Sequence, residues 1–298
     1  MSIAAALLLD AIVGDPPLLW RRVPHPVVWA GRFIDWFDTN FNRRRRAEGI
    51  LLVILLAVVA GLAGWFVERL PGGAVLSPLI AAILLAGRSL QEHVRAVATG
   101  LDTGLAEGRR AVARIVGRDV EVLDEPAVVR AAVESAAENF SDGLVAPAFW
   151  YALLGLPGIL VYKAVNTADS MVGHRNERHG RFGWAAARLD DSLNLLPARL
   201  SAILIAGPSI GAMRVALRDA HMHRSPNAGW PEAAMAARLD LALAGPRQYA
   251  GKRSDDPFVF GEGRRNGTAD DIRRCCRILR EAFVWLLIAA VIVDLVRF

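Results

Sequence analysis

The chain has 298 residues, of which 54% are apolar and only 22% are charged. Soluble domains are about a quarter charged and about 45–50% apolar, so the composition excludes disordered and collagen-like chains and favours a membrane protein. The net charge is +5, and only Lys163 and Lys252 of the 35 basic residues are lysines. Because guanidinium groups offer a planar fork of donors, we expect phosphate, carboxylate or anionic-lipid partners rather than nucleic acid.

Two uncharged stretches predict a helical hairpin that crosses a membrane. Residues 50–67 and 70–87 each contain 18 residues without a charge, near the roughly 17–25 residues that span the hydrocarbon core. Pro71 and Gly72 predict a short turn between the two helices. Four arginines at residues 43–46 precede the pair and Arg88 follows it. Because arginine-rich loops stay on the cytoplasmic side, both flanks are predicted to be cytoplasmic.

The next two apolar stretches contain residues that interrupt helices. Residues 143–162 include Gly155 and Pro157, and residues 195–213 include Pro197 and Gly207. Broken helices at membrane depth usually line a cavity. We therefore expect both stretches to be re-entrant, paired or buried in protein rather than simple spans.

No run of residues alternates with period two for long enough to predict a strand, so the predicted fold class is all-α. The expected protein is a polytopic integral membrane protein with broken or re-entrant helices and cytoplasmic amphipathic helices. We expect a single membrane-embedded domain over residues 1–298. It would contain the hairpin at about 50–87, a catalytic core at about 126–252 and a C-terminal apolar helix at about 282–297.

An acidic stripe precedes the first broken stretch. Glu134, Glu138 and Asp142 fall within about 80° of one another on a helix. An ordinary amphipathic helix would carry such a stripe on its solvated face. Because this stripe runs into an apolar stretch, its carboxylates are costly unless paired or bound to a cation, which favours a functional role.

A second polar group follows the first broken stretch. Lys163, Asn166 and Asp169 share one helix face. They are either a snorkelling lysine paired with an aspartate, or a phosphate-binding lysine beside a cation-binding pair. The sequence favours neither alternative.

A third group comprises Asp190 and Asp191 with Asn194. Pairs of one amide and one carboxylate, three residues apart, recur in all three groups: Asn139–Asp142, Asn166–Asp169 and Asp191–Asn194. Hard oxygen donors on neighbouring turns suit Mg²⁺ that bridges substrate phosphates. The sequence therefore predicts a magnesium and phosphate site.

Two loops could bind anions. The loop at residues 174–181 contains Arg175, Arg178 and Arg181, and it is either a solvated cytoplasmic loop or a phosphate clamp. The turn-rich segment at residues 225–232 starts a helix, whose free N–H groups suit an anion near Ser225 and Asn227.

The polar motifs occur in a fixed order from residue 10 to about residue 252. They are Asp10, Gly14-Asp15-Pro16, Pro24-His25-Pro26-Val27, Glu134-Ser135, Glu138-Asn139, Asp142-Gly143, Tyr162-Lys163, Asn166-Thr167, Asp169-Ser170-Met171, Phe182-Gly183, Ala187-Arg188, Asp190-Asp191, Asn194, Pro197-Ala198-Arg199 and Ser225-Pro226-Asn227-Ala228-Gly229. In this order they resemble the CobD/CbiB family of cobalamin biosynthesis. After Met235 the chain has Ala236-Ala237-Arg238 where that family usually has a glycine-rich run.

The resemblance implies a multi-pass enzyme of the cell inner membrane with its active site facing the cytoplasm. It would join adenosylcobyric acid to (R)-1-amino-2-propanol O-2-phosphate through an amide bond, with ATP and Mg²⁺ as cofactors and the corrinoid as substrate. Small-molecule substrates and membrane lipid are the expected partners. A homo-oligomer, or an association with other membrane proteins of cobalamin assembly, stays open.

The resemblance and the three polar groups lead us to hypothesise three sets of site residues. The catalytic set, which includes a base, is Glu134, Glu138, Lys163 and Asp190. The substrate- and phosphate-binding set is His25, Arg175, Arg178, Arg181, Arg188, Ser225 and Asn227. The metal ligands are Asp142, Asn166, Asp169, Asp190, Asp191 and Asn194.

Two functions of other classes are alternatives. An aspartate-rich membrane transferase of the prenyl type also binds magnesium diphosphate between helices, but its usual DxxxD helix pairs are absent from this sequence. A non-catalytic membrane sensor similar to AmpE would have lost the polar groups, which are intact here.

Overall fold

Helices form almost all of the regular structure in the computed structural model, which describes residues 2–14, 20, 24–117, 119–174, 176–245, 247–249, 252–254 and 257–297. The helices of these residues are α1 (Ile3–Val13), α2 (Pro26–Phe41), α3 (Arg46–Arg69), α4 (Gly73–Leu84), α5 (Gly87–Thr103), α6 (Leu105–Val112), α7 (Glu125–Phe140), α8 (Ala146–Val172), α9 (Trp184–Leu193), α10 (Leu195–Ala206), α11 (Ile210–Asp219), α12 (Gly229–Leu239) and α13 (Ala269–Arg297). The strands described are β1 (Leu243–Ala244), β2 (Arg247–Tyr249), β3 (Lys252–Ser254) and β4 (Phe258–Val259), which pair antiparallel as β1–β4 and β2–β3. The predicted all-α class is confirmed.

Three stretches in the described part of the chain are long and apolar enough to cross a membrane. They are Arg46–Arg69, Gly73–Thr103 and Glu125–Val172. The first is the most apolar, with a mean hydropathy of 2.8 over its best window. The membrane character that the composition predicts is therefore confirmed, while the number of crossings stays a prediction.

The chain divides into two compact units. The first comprises Met1–Ala86, Ala146–Asn194 and Ala290–Phe298, and the second comprises Gly87–Val145 and Leu195–Ala289. Each unit therefore combines segments that are distant in sequence.

The predicted hairpin is present in the first unit. Helix α3 ends at Arg69, and Gly72 has a φ of 86° before α4 begins at Gly73. A left-handed φ of this kind suits glycine, which lacks a Cβ. Helix α4 ends at Leu84, three residues before the predicted limit of the stretch, and α5 begins directly at Gly87.

Helices α3 and α8 pack antiparallel in the first unit. Gly61 faces Val161, and a Cβ on Gly64 would lie 2.5 Å from the backbone nitrogen of Pro157. Glycine on α3 therefore allows the close approach of the α8 backbone. Glu68 near the end of α3 accepts a 2.6 Å hydrogen bond from the N–H of Leu156.

The predicted interruptions of both broken stretches are confirmed. Within α8, Gly155 leaves the helical region with φ 69° and ψ −153°, and a five-residue π turn at Ser141–Val145 precedes the helix. In the second unit, α10 ends at Ala206, Gly207 has a φ of 53°, and α11 starts at Ile210. Re-entry of these segments into a membrane stays a prediction.

The C-terminal helix α13 begins at Ala269, 13 residues before the apolar helix predicted at about 282–297, which lies within it. The N–H and hydroxyl of Thr268 both donate to Oδ2 of Asp271, at 3.0 and 3.2 Å. This is a helix N-terminal cap in which a carboxylate reaches back to the residue before the helix. The apolar stretch of the sequence indicates only the second half of α13, so its more polar first half was not predicted.

Candidate functional site

A chain of four polar side chains joins helices α8 and α9 in the first unit. Asn166 of α8 donates a 3.1 Å hydrogen bond to Oδ1 of Asp190 on α9. Asn194, just after α9, donates to Oδ2 of Asp190 at 3.0 Å. The hydroxyl of Tyr162 donates to Oδ1 of Asn194 at 3.0 Å. We call Tyr162, Asn194, Asp190 and Asn166 the buried polar chain.

The loop after α8 brings these residues together. It reverses the direction of the backbone, so α9 runs back along α8 and sets Asp190 beside Asn166 and Asn194 beside Tyr162. Phe182 and Ala186 pack in the same apolar core as Leu52 and Ala168. This packing fixes the register in which the polar side chains of the two helices meet.

The buried polar chain lies well inside the apolar part of the unit. Lys163 follows Tyr162 directly on α8 and is partly buried, so its ammonium group needs an electrostatic partner. The charge of Lys163 acts on Asp190 and lowers the pKa of that carboxyl group.

The pKa of Asp190 is nevertheless raised above its ordinary value. Burial is the largest cause, since only 8% of the residue is exposed. The amide donors Asn166 and Asn194 lower the pKa, whereas the neighbouring charge of Asp191 raises it. A buried carboxyl group with a raised pKa beside polar partners is typical of functional sites, although structural networks also produce such shifts.

The other predicted acidic and basic residues near the buried polar chain are more exposed. Lys163, Asp169 and Asp191 are partly buried, while Arg188 is exposed and lies 4.0 Å from Asp191. A Cβ on Gly173 would overlap the carboxylate of Asp169. Glycine therefore leaves room for that side chain one turn further along. Within the hypothesised metal set, hydrogen bonds join Asn166 and Asn194 to Asp190, and Asp191 is its neighbour in sequence. A ligand role for these residues and for Asp169 stays a prediction.

Arg178 pairs with a carboxylate outside the buried polar chain. It donates to Oδ2 of Asp38 on α2 through Nε at 3.0 Å and Nη2 at 2.7 Å. Asn42 donates to Oδ1 of the same carboxylate, and His179 lies 3.3 Å from Oδ2. Arg181 is exposed, and Arg175 lies outside the described residues. The substrate roles of these three arginines stay predictions.

His25 occupies the start of α2. Its Nδ1 accepts a 3.2 Å hydrogen bond from the N–H of Val27, and its Nε2 lies 3.0 Å from the carbonyl oxygen of Ile83. Both ring nitrogens therefore have partners within the protein. Beside this helix lies an apolar cavity of about 470 Å³, whose wall includes Pro26, Phe33, Leu56 and Lys163.

The three residues of the acidic stripe lie in the second unit and differ in their burial. Glu134 is buried, and its Oε1 accepts a 2.8 Å hydrogen bond from the N–H of Ala244 in β1. Glu138 is exposed. Asp142 is partly buried and sits in the π turn after α7, a feature that is frequent at functional sites.

The loop at Ser225 and Asn227 folds on itself in the same unit. Oγ of Ser225 accepts hydrogen bonds from the N–H groups of Asn227 and Ala228, each at 3.2 Å. Oδ1 of the buried Asn227 accepts a 2.8 Å bond from Arg199. The guanidinium of Arg199 also covers the Trp230 ring at 4.7 Å from its centroid.

Tyr162 and Arg199 are functional candidates that the three hypothesised sets did not include. Both occur in the motifs that resemble the family. Tyr162 directly precedes the predicted Lys163, and Arg199 donates a hydrogen bond to the predicted Asn227. Arg199 is a single charge within the apolar helix α10, which was the available signal for this residue.

Magnesium bound together with ATP needs only one or two protein carboxylates, because phosphates and water supply the other ligands. Within the described residues, no three His, Cys, Asp or Glu side chains are arranged to hold a metal ion by themselves. Asp169 on α8 and Asp191 on α9 are partly exposed carboxylates. These residues fit a metal carried by a nucleotide better than a metal held by protein alone.

The helical architecture and this site define an α-helical membrane protein with a carboxylate–amide centre. More specifically, the chain belongs to the CobD/CbiB family, whose family model, described as CobD/Cbib protein, matches residues 3–279. It is 52% identical over 293 residues to "Cobalamin biosynthesis protein CobD" of a Sinorhizobium species, covering 91% of each chain.

Two further relatives carry the same name. The protein of Sinorhizobium fredii is 48% identical over 315 residues, covering 99% of this chain and 97% of its own. The protein of Brucella suis is 48% identical over 291 residues, covering 91% of this chain and 89% of its own. No solved structure matches this chain.

Proposed function

We propose that this protein is an enzyme of cobalamin biosynthesis, adenosylcobinamide-phosphate synthase. It would join adenosylcobyric acid to (R)-1-amino-2-propanol O-2-phosphate through an amide bond. The observation that carries the proposal is the match to relatives named for cobalamin biosynthesis over nine-tenths or more of the chain. The carboxylate–amide centre in the first unit supports it, because this reaction needs groups that bind phosphates.

The reaction requires activation, since a carboxylate does not acylate an amine unaided. A propionate oxygen of the corrinoid attacks the γ-phosphorus of ATP, the bond to the β-phosphate oxygen breaks, and ADP leaves. The amine nitrogen then attacks the acyl carbon and expels inorganic phosphate, while a base takes the proton that the nitrogen loses. The protein must therefore bind phosphates, align two substrates and accept a proton.

The residues of the first unit suit the phosphate part of this task. Mg²⁺ would neutralise phosphate charge, and Asp169 and Asp191 are its hypothesised carboxylate ligands. Lys163 would contact a phosphate oxygen. Arg188, which is exposed beside Asp191, would bind the phosphate of the amino alcohol. Asp190 is the buried carboxylate that the two amides hold.

Glu138 and Glu134 stay our hypothesised candidates for the base that accepts this proton. Glu138 is exposed, whereas the carboxylate of Glu134 already accepts the N–H of Ala244, which favours Glu138. If Glu138 is the base, its exchange for Gln should lower kcat about 100-fold or more near neutral pH.

We further propose that the protein lies in the cell inner membrane as a multi-pass protein with its active site facing the cytoplasm. The four arginines at residues 43–46, at the start of α3, support this orientation. A reporter fused at Gly72, in the hairpin turn, should then lie outside. A cytoplasmic reporter at this turn would contradict the orientation.

The decisive assay uses the full-length protein in detergent with adenosylcobyric acid, ATP, Mg²⁺ and the amino-alcohol phosphate. We expect adenosylcobinamide phosphate by mass spectrometry, with one ADP formed for each amide. Omission of ATP should abolish the product, and unphosphorylated aminopropanol shows whether the phosphate is required. Absence of amide product under all these conditions would refute the proposed activity.

A further inference from the structure

The orientation of the Asn194 side chain is fixed from both sides. A carboxylate only accepts hydrogen bonds, so the NH₂ group of Asn194 must face Asp190, as its 3.0 Å contact shows. The carbonyl oxygen then faces Tyr162, whose hydroxyl must be the donor at 3.0 Å. With 1% of Tyr162 and 1% of Asn194 exposed, water does not replace either bond.

These bonds connect the two helices that carry the proposed phosphate-binding groups. Tyr162 directly precedes Lys163 on α8, and Asp190 directly precedes Asp191 on α9. The bond from Asn166 to Asp190 adds a second link between the helices. A change in the orientation of Asn194 would therefore alter how Asp190 is held, and with it the alignment of α9 on α8.

We propose that Tyr162 is a positioning residue of this site. Through Asn194 it holds Asp190, and thereby sets the register in which Lys163 and Asp191 face the substrates. This inference rests on the proposed function. Tyr162 itself need not touch a substrate, because its effect passes through the amide of Asn194.

Tyr151 provides a matched control on the same helix. It is also almost fully buried, with 2% exposed, and its hydroxyl lies 3.0 Å from Oγ of Ser77. Exchange of either tyrosine for phenylalanine deletes one buried hydroxyl and its hydrogen bond. A purely structural contribution predicts similar losses in both variants, whereas positioning predicts a difference between them.

The first test compares Tyr162→Phe with Tyr151→Phe in the full-length protein in detergent. Misalignment of reacting groups by a fraction of an ångström lowers the rate of the aligned step more than it weakens binding. We expect Tyr162→Phe to lower kcat about tenfold or more while KM for ATP changes less than twofold. Tyr151→Phe should retain kcat within twofold. Equal kcat values in the two variants would overturn the inference.

The second test asks whether Tyr162 acts through Asn194. In a background of Asn194→Ala, the further exchange Tyr162→Phe should lower kcat by less than twofold, because the amide that Tyr162 orients is gone. If the two exchanges lower kcat independently and their effects multiply, Tyr162 acts by another route and the inference is wrong.

A readout without turnover separates this inference from the proposed function. Hydrogen–deuterium exchange of residues 184–194 should rise in Tyr162→Phe and stay at the wild-type level in Tyr151→Phe. If the wild-type protein forms no amide but this exchange pattern is observed, the proposed function is wrong, and the inference that Tyr162 positions Asp190 is still confirmed. If exchange of this segment is the same in both variants, the positioning inference fails, whatever the activity.

Discussion

Asp38 and Asp190 lie in the same unit and each has 8% of its surface exposed, yet their pKa values shift in opposite directions. Burial raises the pKa of both carboxyl groups. At Asp38, hydrogen bonds from Arg178, Asn42 and His179 outweigh burial and bring the pKa below its ordinary value. Asp190 lies deeper among protein atoms than Asp38 and its hydrogen-bond donors are two neutral amides, so burial prevails and its pKa is raised.

The comparison separates a structural carboxylate from a functional candidate. A guanidinium group supplies a full positive charge and stabilises the ionised form, whereas an amide supplies only a dipole. Asp38 thus fastens the loop after α8 to α2. Asp190 is instead held by two neutral amides, and we hypothesise a role for it in the site. Four predictions follow from this contrast.

The largest effect is expected for Asp190→Asn. Asparagine keeps the size but removes the negative charge, so amide synthesis should fall about 100-fold or more, which corresponds to about 2.7 kcal/mol. The protein should still accumulate in the membrane, because the folded state holds this charge at a cost. Product formation and protein yield measure the two effects. Near-wild-type kcat in this variant would place Asp190 outside the active site.

Asp38→Asn should lower stability and leave kcat nearly unchanged, which is the reverse of the result expected for Asp190→Asn. The charged hydrogen bonds from Arg178 are lost, and we expect the free energy of unfolding to fall by about 2 kcal/mol. The kcat of the folded fraction should stay within twofold of wild type. Thermal unfolding in detergent and active-site-normalised turnover test this pair of outcomes. A large fall in kcat with unchanged stability would show that the Asp38 cluster belongs to the catalytic site.

The pH dependence of stability sharpens the same comparison. Because the pKa of Asp38 is lower in the folded protein than its ordinary value of 3.8, its contribution is present above pH 3.8 and is lost as the pH falls through the folded pKa. The difference in melting temperature between wild type and Asp38→Asn should therefore shrink as the pH falls below 3.8. A difference that grows below pH 3.8 contradicts the sign.

The smallest effect is expected for Arg188→Gln. This exposed arginine lies 4.0 Å from Asp191, and an exposed pair of this kind contributes less than about 0.5 kcal/mol to stability. If Arg188 binds the phosphate of the amino alcohol, KM for that substrate should rise about threefold to tenfold while kcat is retained. The exposed Arg114, which lies outside the hypothesised sets, is exchanged for Gln as the control and should leave this KM unchanged. A lower melting temperature with unchanged KM would indicate a structural role for Arg188 instead.

Local patterns predicted much of the fold. The hairpin follows from two uncharged stretches and a Pro-Gly turn, and the interruptions at Gly155 and Gly207 follow from residues that disfavour a continuous helix. The early start of α13 was missed, although Thr268 and Asp271 have the spacing of a helix cap. The apolar stretch indicates only the second half of that helix.

The candidate site could be predicted only in part. Helical spacing correctly grouped Asp190 with Asn194, because neighbours on one helix face are a local property. It could not show that Asn166 and Asn194 both turn their NH₂ groups toward Asp190. Nor could it show that Glu134 accepts the N–H of Ala244, 110 residues further along the chain.

The sequence by itself determined the helical class, the apolar stretches, the hairpin and the resemblance to a family, since these depend on composition, spacing and residue order. Only the tertiary structure decided which acid faces which donor. The pairing of Asp38 with Arg178, and of Asp190 with two amides and indirectly with Tyr162, depends on how the loop after α8 returns α9 to α8. Burial and hydrogen bonding set the charge state of a carboxyl group, and both arise from neighbours that are distant in sequence.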